Sequence, residues 1–158
     1  MNKYLFWGLL GFVFMVSSCA NEDDVCTSGE GTARMKIKFK DTNNKIVKPD
    51  TLYIDVDYGN GKVNVLSKAV APDSALIPLR VDESTFTEIY IRKRKVGPAA
   101  KIKLNYSIKS QYVSPACGIK RLYEGLGAEL STPNPVVGTQ INLTEITDEN
   151  KTHLYLIF

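Results

Sequence analysis

The chain has few of the residues that usually build catalytic or metal sites. Its 158 residues include one histidine, one tryptophan and three cysteines. A histidine-based triad or a zinc site of the usual composition would have to use His153, which has no cysteine or carboxylate pattern beside it. No serine lies in a G-x-S-x-G elbow either. We therefore expect a protein that is not an enzyme and that has no metal and no cofactor.

A carboxylate-based hydrolase stays open as a less favoured alternative, because a glycosidase needs only two acidic side chains. The sequence does not place any two of them across a cleft. The available glutamates are Glu83, Glu88, Glu124, Glu129, Glu145 and Glu149.

Asp55 and Asp57 stand before Gly59-Asn60-Gly61, as acids do at the start of a calcium loop. Such a loop needs a bidentate acid at its twelfth position, where this chain has Leu66. Alternation along a strand instead places both aspartates on its outer face, beside a hairpin turn. We expect no calcium site here.

The apolar run at residues 5–16 is too short to cross a membrane as a helix, which takes about 20 residues. The run follows Lys3 and ends in VSSC, residues 16–19, in the order of a secretory signal. VSSC resembles the bacterial lipobox, which implies a diacylglycerol thioether on Cys19 and cleavage before it. An ordinary signal peptide or an N-terminal anchor helix is the alternative.

Acylation would hold the mature protein on a membrane, because each buried methylene contributes about 0.8 kcal/mol. The acidic residues 22–24 resemble the surface-export signal of lipoproteins in Bacteroidota, although a solvated tether explains them equally well. We divide the chain into a signal peptide (1–18), a lipidated acidic tether (19–30) and a β-sandwich domain (31–158). The outer membrane is the expected location, and its periplasmic face and the cell surface both stay open.

Removal of residues 1–18 leaves 140 residues, which is one domain by length. The 20 basic residues fall to 19 with the loss of Lys3, against 17 acidic ones, and this balance argues against a nucleic-acid partner. Trp7 is lost as well. A carbohydrate-binding surface would therefore depend on tyrosines such as Tyr106 or Tyr112.

Apart from Cys19, which is predicted to be lipidated, the mature chain contains two cysteines, Cys26 and Cys117. An even number of cysteines in an oxidising compartment predicts a Cys26–Cys117 disulfide. Such a bond would close a loop of about 92 residues and contribute on the order of 4 kcal/mol of stability. It would also pin the mature N-terminus to the domain. Two separately buried thiols are the alternative.

Apolar residues alternate through most of the remaining chain, which predicts short strands. In RMKIKFKD, residues 34–41, Met35, Ile37 and Phe39 fall on one face and three lysines on the other. Further strands are predicted at 51–59, 62–66, 75–81, 85–93, 101–113, 139–146 and 153–158. A set of seven to nine short strands without a long helix predicts an antiparallel β-sandwich.

Three stretches of the chain depart from plain alternation. Pro78 makes its strand an edge strand, because proline cannot donate to a ladder. Residues 119–126 have apolar residues at helical spacing, so a short helix competes with a strand there. Residues 127–138 contain two prolines and form the longest loop-like stretch.

Asp50-Thr51-Leu52 and Asp73-Ser74-Ala75 resemble the O-glycosylation motif of exported Bacteroidota proteins, which makes Thr51 and Ser74 candidate acceptors. Both lie near predicted turns, where a glycan would be accessible. The basic segment 92–95 is either a solvated hairpin end, which we favour, or a contact for anionic lipid.

Several features together resemble a family of small Bacteroidota lipoproteins with no assigned function. They are the lipobox, Asp23-Asp24-Val25-Cys26, Val113-Ser114, Cys117-Gly118 and the terminal segment with His153. The resemblance implies a β fold, paired cysteines and a strand over 119–126. It implies no activity, ligand or catalytic residue.

The sequence thus predicts a lipid-anchored cell-envelope protein that works as a binding or assembly module for an envelope protein partner. Glycan binding is the second hypothesis. The membrane contact is expected through the N-terminal lipid.

Overall fold

The computed structural model describes residues 31–115 and 117–158 of the chain. Cys19, Cys26 and the predicted signal peptide and tether lie outside these residues, so those assignments stay predictions. The described residues form nine strands: β1 (Met35–Lys40), β2 (Thr51–Asp57), β3 (Lys62–Val70), β4 (Ser74–Ile77), β5 (Phe86–Arg92), β6 (Ala100–Ser114), β7 (Gly118–Thr132), β8 (Gly138–Ile141) and β9 (Leu154–Ile157).

The strands form a four-stranded sheet in the order β4-β1-β9-β8 and a five-stranded sheet in the order β3-β2-β5-β6-β7. β1 and β9 pair in parallel, and the other strand pairs are antiparallel. The predicted β-sandwich is confirmed, with one parallel pair where the C-terminal strand lies beside the first.

Alternating residues of both sheets build the core between them. Met35, Ile37 and Phe39 of β1 are fully buried, and Ile54 and Val56 of β2 face them from the other sheet's inner side. Each such side chain removed from water contributes roughly 1.5–3 kcal/mol. The predicted inward faces of both strands are therefore confirmed.

Two sequence-based boundaries change in the structure. β4 ends at Ile77, directly before Pro78, and lies at the edge of its sheet as predicted. Residues 119–126 are strand, and β7 continues to Thr132, so the loop predicted at 127–138 is wrong for its first half. The reason is pairing with β6, since Leu130 lies opposite Ile102 in the ladder.

β6 and β7 form a hairpin that extends beyond the sandwich. β5 pairs with β6 only as far as Asn105, so residues 107–114 of β6 have β7 as their strand partner. We call residues 107–122 the arm. The sandwich end next to it is the arm end, and the end at Ala100 is the opposite end. At about 3.3 Å per residue, β6 spans roughly 45 Å from the opposite end to the tip of the arm.

A β-bulge marks the place where the arm leaves the sandwich. The register of β6 and β7 shifts between Asn105 and Ser107, and Gly125 in β7 has a φ of 68°. A glycine with positive φ is typical of the first position of such a bulge, which bends the strand and increases its twist. The bulge therefore sets the direction of the arm.

Candidate functional site

Cys117 lies at the tip of the arm, in the turn between β6 and β7. Its backbone N–H donates to Ser114 Oγ at 3.1 Å, which shapes the turn. Its predicted partner Cys26 and the predicted lipidation site Cys19 lie outside the described residues. The structure therefore places one of the three predicted cysteine sites and leaves their pairing as a prediction.

Residue 32 lies against the arm although it is far from it in sequence. The backbone N–H of Arg121 donates to Thr32 Oγ1 at 2.9 Å. Thr32 therefore lies beside β7, next to a residue that is four positions along the chain from Cys117. Sequence reasoning missed this contact, because no pattern links a threonine near the start of a domain to a strand 89 residues later.

The Arg121 side chain ties the arm to the sandwich. Its guanidinium donates to Val81 O at 3.2 Å and to Glu83 Oε1 at 2.9 Å. It also hydrogen-bonds Ser110 Oγ on the neighbouring strand of the arm. One side chain thus fixes both strands of the arm against the loop after β4.

The tip of the arm carries an exposed apolar pair. Tyr112 and Ile119 lie directly opposite each other in the ladder, and each is 64% exposed. They are on the face that is buried further along β6, where Leu104 and Tyr106 point into the core. On that face the polar pair Ser110 and Arg121 separates the tip from the core, so Tyr112 and Ile119 form a separate exposed apolar patch.

Tyrosine hydroxyls hold the base of the arm to the loop after β4 and to β5. Tyr123 OH donates to Arg80 O at 3.0 Å, and Thr87 Oγ1 and Tyr106 OH are 2.6 Å apart. The two tyrosine rings meet edge to face at 5.0 Å. Burial raises the pKa of Tyr123 to about 12 and raises that of Tyr106. These hydroxyls stay protonated and act as structural hydrogen-bond groups.

His153 is buried beside β1 and has a structural role. Its Nδ1 accepts a hydrogen bond from the backbone N–H of Lys36 at 3.0 Å, and its backbone N–H donates to Lys36 O at 2.9 Å. Burial lowers the pKa of the imidazole. The neutral imidazole therefore serves as a structural hydrogen-bond acceptor for the backbone of β1.

Asp55 lies on the outer face of β2, as predicted, but it is buried there. Its carboxylate accepts a hydrogen bond from Asn64 Nδ2 at 2.8 Å and forms an ion pair with Arg92. The exposed fractions of the two paired side chains are 12% for Asp55 and 23% for Arg92. The charge of Arg92 is therefore paired and is not available to the basic segment 92–95. Asp55 in turn has a protein cation as its partner.

Lysines cover the aromatic rings on this outer face. The Lys62 ammonium lies 3.6 Å from the centre of the Tyr90 ring, and that of Lys103 lies 4.9 Å from the centre of the Phe86 ring. Contacts of this kind contribute about 0.5–1 kcal/mol at exposed sites. A sugar would have to displace these cations to stack on either ring.

The glutamates named for a hydrolase are mostly engaged by other side chains. Lys101 donates to Glu88 and Arg34 to Glu149, and these bonds lower the pKa of both carboxyls. A general acid needs the opposite shift. Three more glutamates have partners within 4.0 Å: Glu83 with Arg121, Glu124 with Lys109 and Glu129 with Asn105.

The opposite end carries the basic turn and both candidate glycosylation residues. A shallow depression of about 220 Å³ is lined by Lys93, Arg94 and the loop with the cis Asn134–Pro135 bond. Thr51 begins β2 and Ser74 begins β4, and both are half-buried. This end is as far as the sandwich allows from the tip of the arm.

Among residues 31–115 and 117–158, no helix combines the length and the apolar character required to span a membrane. The same residues contain no group of three or more His, Cys, Asp or Glu side chains placed to hold a metal ion.

Residues 52–158 match the model of a family described as "Family of unknown function (DUF6452)", and the chain belongs to this family. No curated protein and no solved structure matched the chain. The matched range contains the whole arm and excludes β1.

Proposed function

We propose that this member of DUF6452 is a lipid-anchored protein of the bacterial cell envelope that works as a binding or assembly module. The lipobox-like VSSC supports acylation of Cys19, and the acyl chains would anchor the protein in a membrane. The hydrogen bond between Arg121 and Thr32 connects this proposal to the structure, because it fixes where the N-terminal part of the chain meets the sandwich. The tether then leaves from the arm end, and the opposite end points away from the anchor.

The same contact supports a Cys26–Cys117 disulfide. The six residues from Thr32 back to Cys26 reach at most about 20 Å, and the four from Arg121 to Cys117 span about 13 Å along β7. The two sulfurs are thus within reach without any movement of the sandwich. In the bond, both thiols lose a proton and an electron to a disulfide-exchanging oxidant of the envelope.

The opposite end offers a surface for a protein partner. Val96 in the turn after β5 is 82% exposed, and Val137 in the loop before β8 is 56% exposed. Lys93 and Arg94 line the depression next to them. Exposed apolar patches mark protein interaction sites, and arginine is enriched in interfaces.

Site-specific photo-crosslinking in cells tests this assignment. A benzophenone amino acid at position 96 should give one defined adduct, and the same probe at the exposed Glu145 of the arm end should not. The adduct from position 96 should weaken or disappear when the exposed Val137 is changed to Asp. Equal adducts from both positions, or an adduct from position 96 that the Val137→Asp change leaves at full yield, would contradict a partner at the opposite end.

Glycan binding is the second candidate, and the exposed ring of Tyr112 is the observation that favours it. Tyr106 is excluded as a stacking surface, because it is only 5% exposed and lies in the core. Saturable binding to a polysaccharide array that is lost in Tyr112→Ala would support this candidate. An array without any bound glycan would remove it.

A further inference from the structure

We propose that the tip of the arm is a second membrane contact, in which Tyr112 and Ile119 touch the lipid surface that holds the anchor. The inference rests on the proposed lipid anchoring of Cys19. It adds a defined orientation, with the arm toward the membrane and the opposite end away from it.

The shape of the arm favours contact with a surface over burial within this domain. The tip is a tight hairpin with a large apolar side chain on each strand, Tyr112 and Ile119, and both are 64% exposed. Tyrosine is enriched at membrane interfaces, where its ring lies among the lipids and its hydroxyl stays in water. Isoleucine opposite it adds aliphatic surface to the same face.

The length of the chain before residue 31 brings this tip close to the lipid. Between Cys19 and Thr32 the tether spans at most about 45 Å when fully extended. With Cys26 joined to Cys117, the seven residues from Cys19 to Cys26 limit the tip to within about 25 Å of the lipid-bearing residue. With the proposed disulfide in place, the tip of the arm is the part of the described residues that has the shortest covalent connection to the anchor.

The charges on the arm fit an anionic lipid surface. Lys109 and Lys120 lie on the other face of the hairpin from the apolar pair, opposite Leu122 and Gln111 in the ladder. Lys109 is 68% exposed and forms a long, exposed ion pair of 3.9 Å with Glu124. If the hairpin meets the membrane with its tip, both of its faces border the headgroup layer, and these ammonium groups can then meet phosphates while the apolar pair enters the interface.

A single tryptophan provides a direct probe of this contact. The only tryptophan, Trp7, belongs to the predicted signal peptide, so Tyr112→Trp gives the mature lipoprotein one fluorophore at the tip. The acylated protein is reconstituted into vesicles of phosphatidylethanolamine and phosphatidylglycerol, with and without lipids brominated in the upper acyl chain. Val96→Trp, at the opposite end, is the matched control.

We expect the emission of the Tyr112→Trp variant to shift to shorter wavelength and to be quenched by the brominated lipids, and that of the Val96→Trp variant to do neither. Adding Ile119→Ser to Tyr112→Trp should reduce the quenching. If acylated protein floats with the vesicles but aqueous iodide quenches both single variants equally, the arm contact is wrong and the anchor stands. If the protein lacks acyl chains and does not float, the proposed anchoring fails and this inference fails with it.

Discussion

The backbone N–H of Arg121 donates a hydrogen bond to Thr32 Oγ1 at 2.9 Å, and so joins the start of the domain to a strand of the arm. This contact places Thr32 at the arm end of the sandwich. The proposed disulfide and the proposed orientation on the membrane both depend on it.

Replacing Thr32 with valine keeps the shape of the side chain and removes the acceptor. We expect a loss of about 1 kcal/mol in the free energy of unfolding, because a half-buried donor loses its partner. Hydrogen exchange of the Arg121 amide should become faster as well. Thr32→Ser retains the hydroxyl and serves as the control, and unchanged exchange in Thr32→Val would show that the contact does not form.

Gly125→Ala should weaken the base of the arm. The φ of 68° at Gly125 is in the left-handed region, which costs a residue with a Cβ about 1–2 kcal/mol. The added Cβ would meet nothing within 4 Å, so the loss comes from the backbone alone. Urea unfolding measures it.

Gly127→Ala is the matched control for this substitution. Its Cβ would also meet nothing within 4 Å, and its backbone does not have a positive φ. We expect no loss of stability there. An equal loss at both positions would contradict the bulge geometry.

Breaking the ion pair between Asp55 and Arg92 should lower the free energy of unfolding. Asp55→Leu leaves the guanidinium poorly solvated without its carboxylate, for which we expect a loss of about 3 kcal/mol in the free energy of unfolding. Replacing both residues with leucine should recover most of it, since the unpaired charge is then gone. Denaturant melts of the single and double variants test this, with Glu124→Gln at an exposed pair as a control that should lose less than about 1 kcal/mol.

Stability should fall as the pH drops below about 6.5, because burial lowers the pKa of His153 in the folded state. The unfolded chain then binds a proton that the native imidazole does not, so this contribution is complete above the unfolded pKa. It is lost as the pH falls through the lower folded value, by at most about 1.4 kcal/mol per pH unit. His153→Asn, which does not titrate, should show a flatter dependence between pH 7 and pH 5. Identical slopes for the two proteins would rule out this role.

Much of the fold follows from the sequence, because successive side chains of a half-buried strand alternate between the core and the solvent. The buried and exposed sides of β1 and β2 are read directly from alternation. The continuation of β7 to Thr132 cannot be read from alternation. It is caused by the ladder with β6, and the sequence does not state which strands pair. The helical spacing at 119–126 misleads for the same reason.

The candidate site is harder to predict, because its contacts join distant positions. Asp55 was expected on an outer face, and its burial there depends on Arg92, 37 residues later. The number of cysteines and the family resemblance both single out Cys117, whereas its position at the tip of a protruding arm depends on the length of the β6–β7 ladder. Thr32 has no property in the sequence that distinguishes it from other threonines.

Intact mass measurement of the protein purified from membranes of growing cells tests the central claim most directly. We predict a chain that begins at Cys19 and carries a diacylglycerol group on its sulfur and an acyl group on its new amine. A chain that keeps residues 1–18, or one cleaved there without any fatty acid, would contradict the anchor and the orientation derived from it.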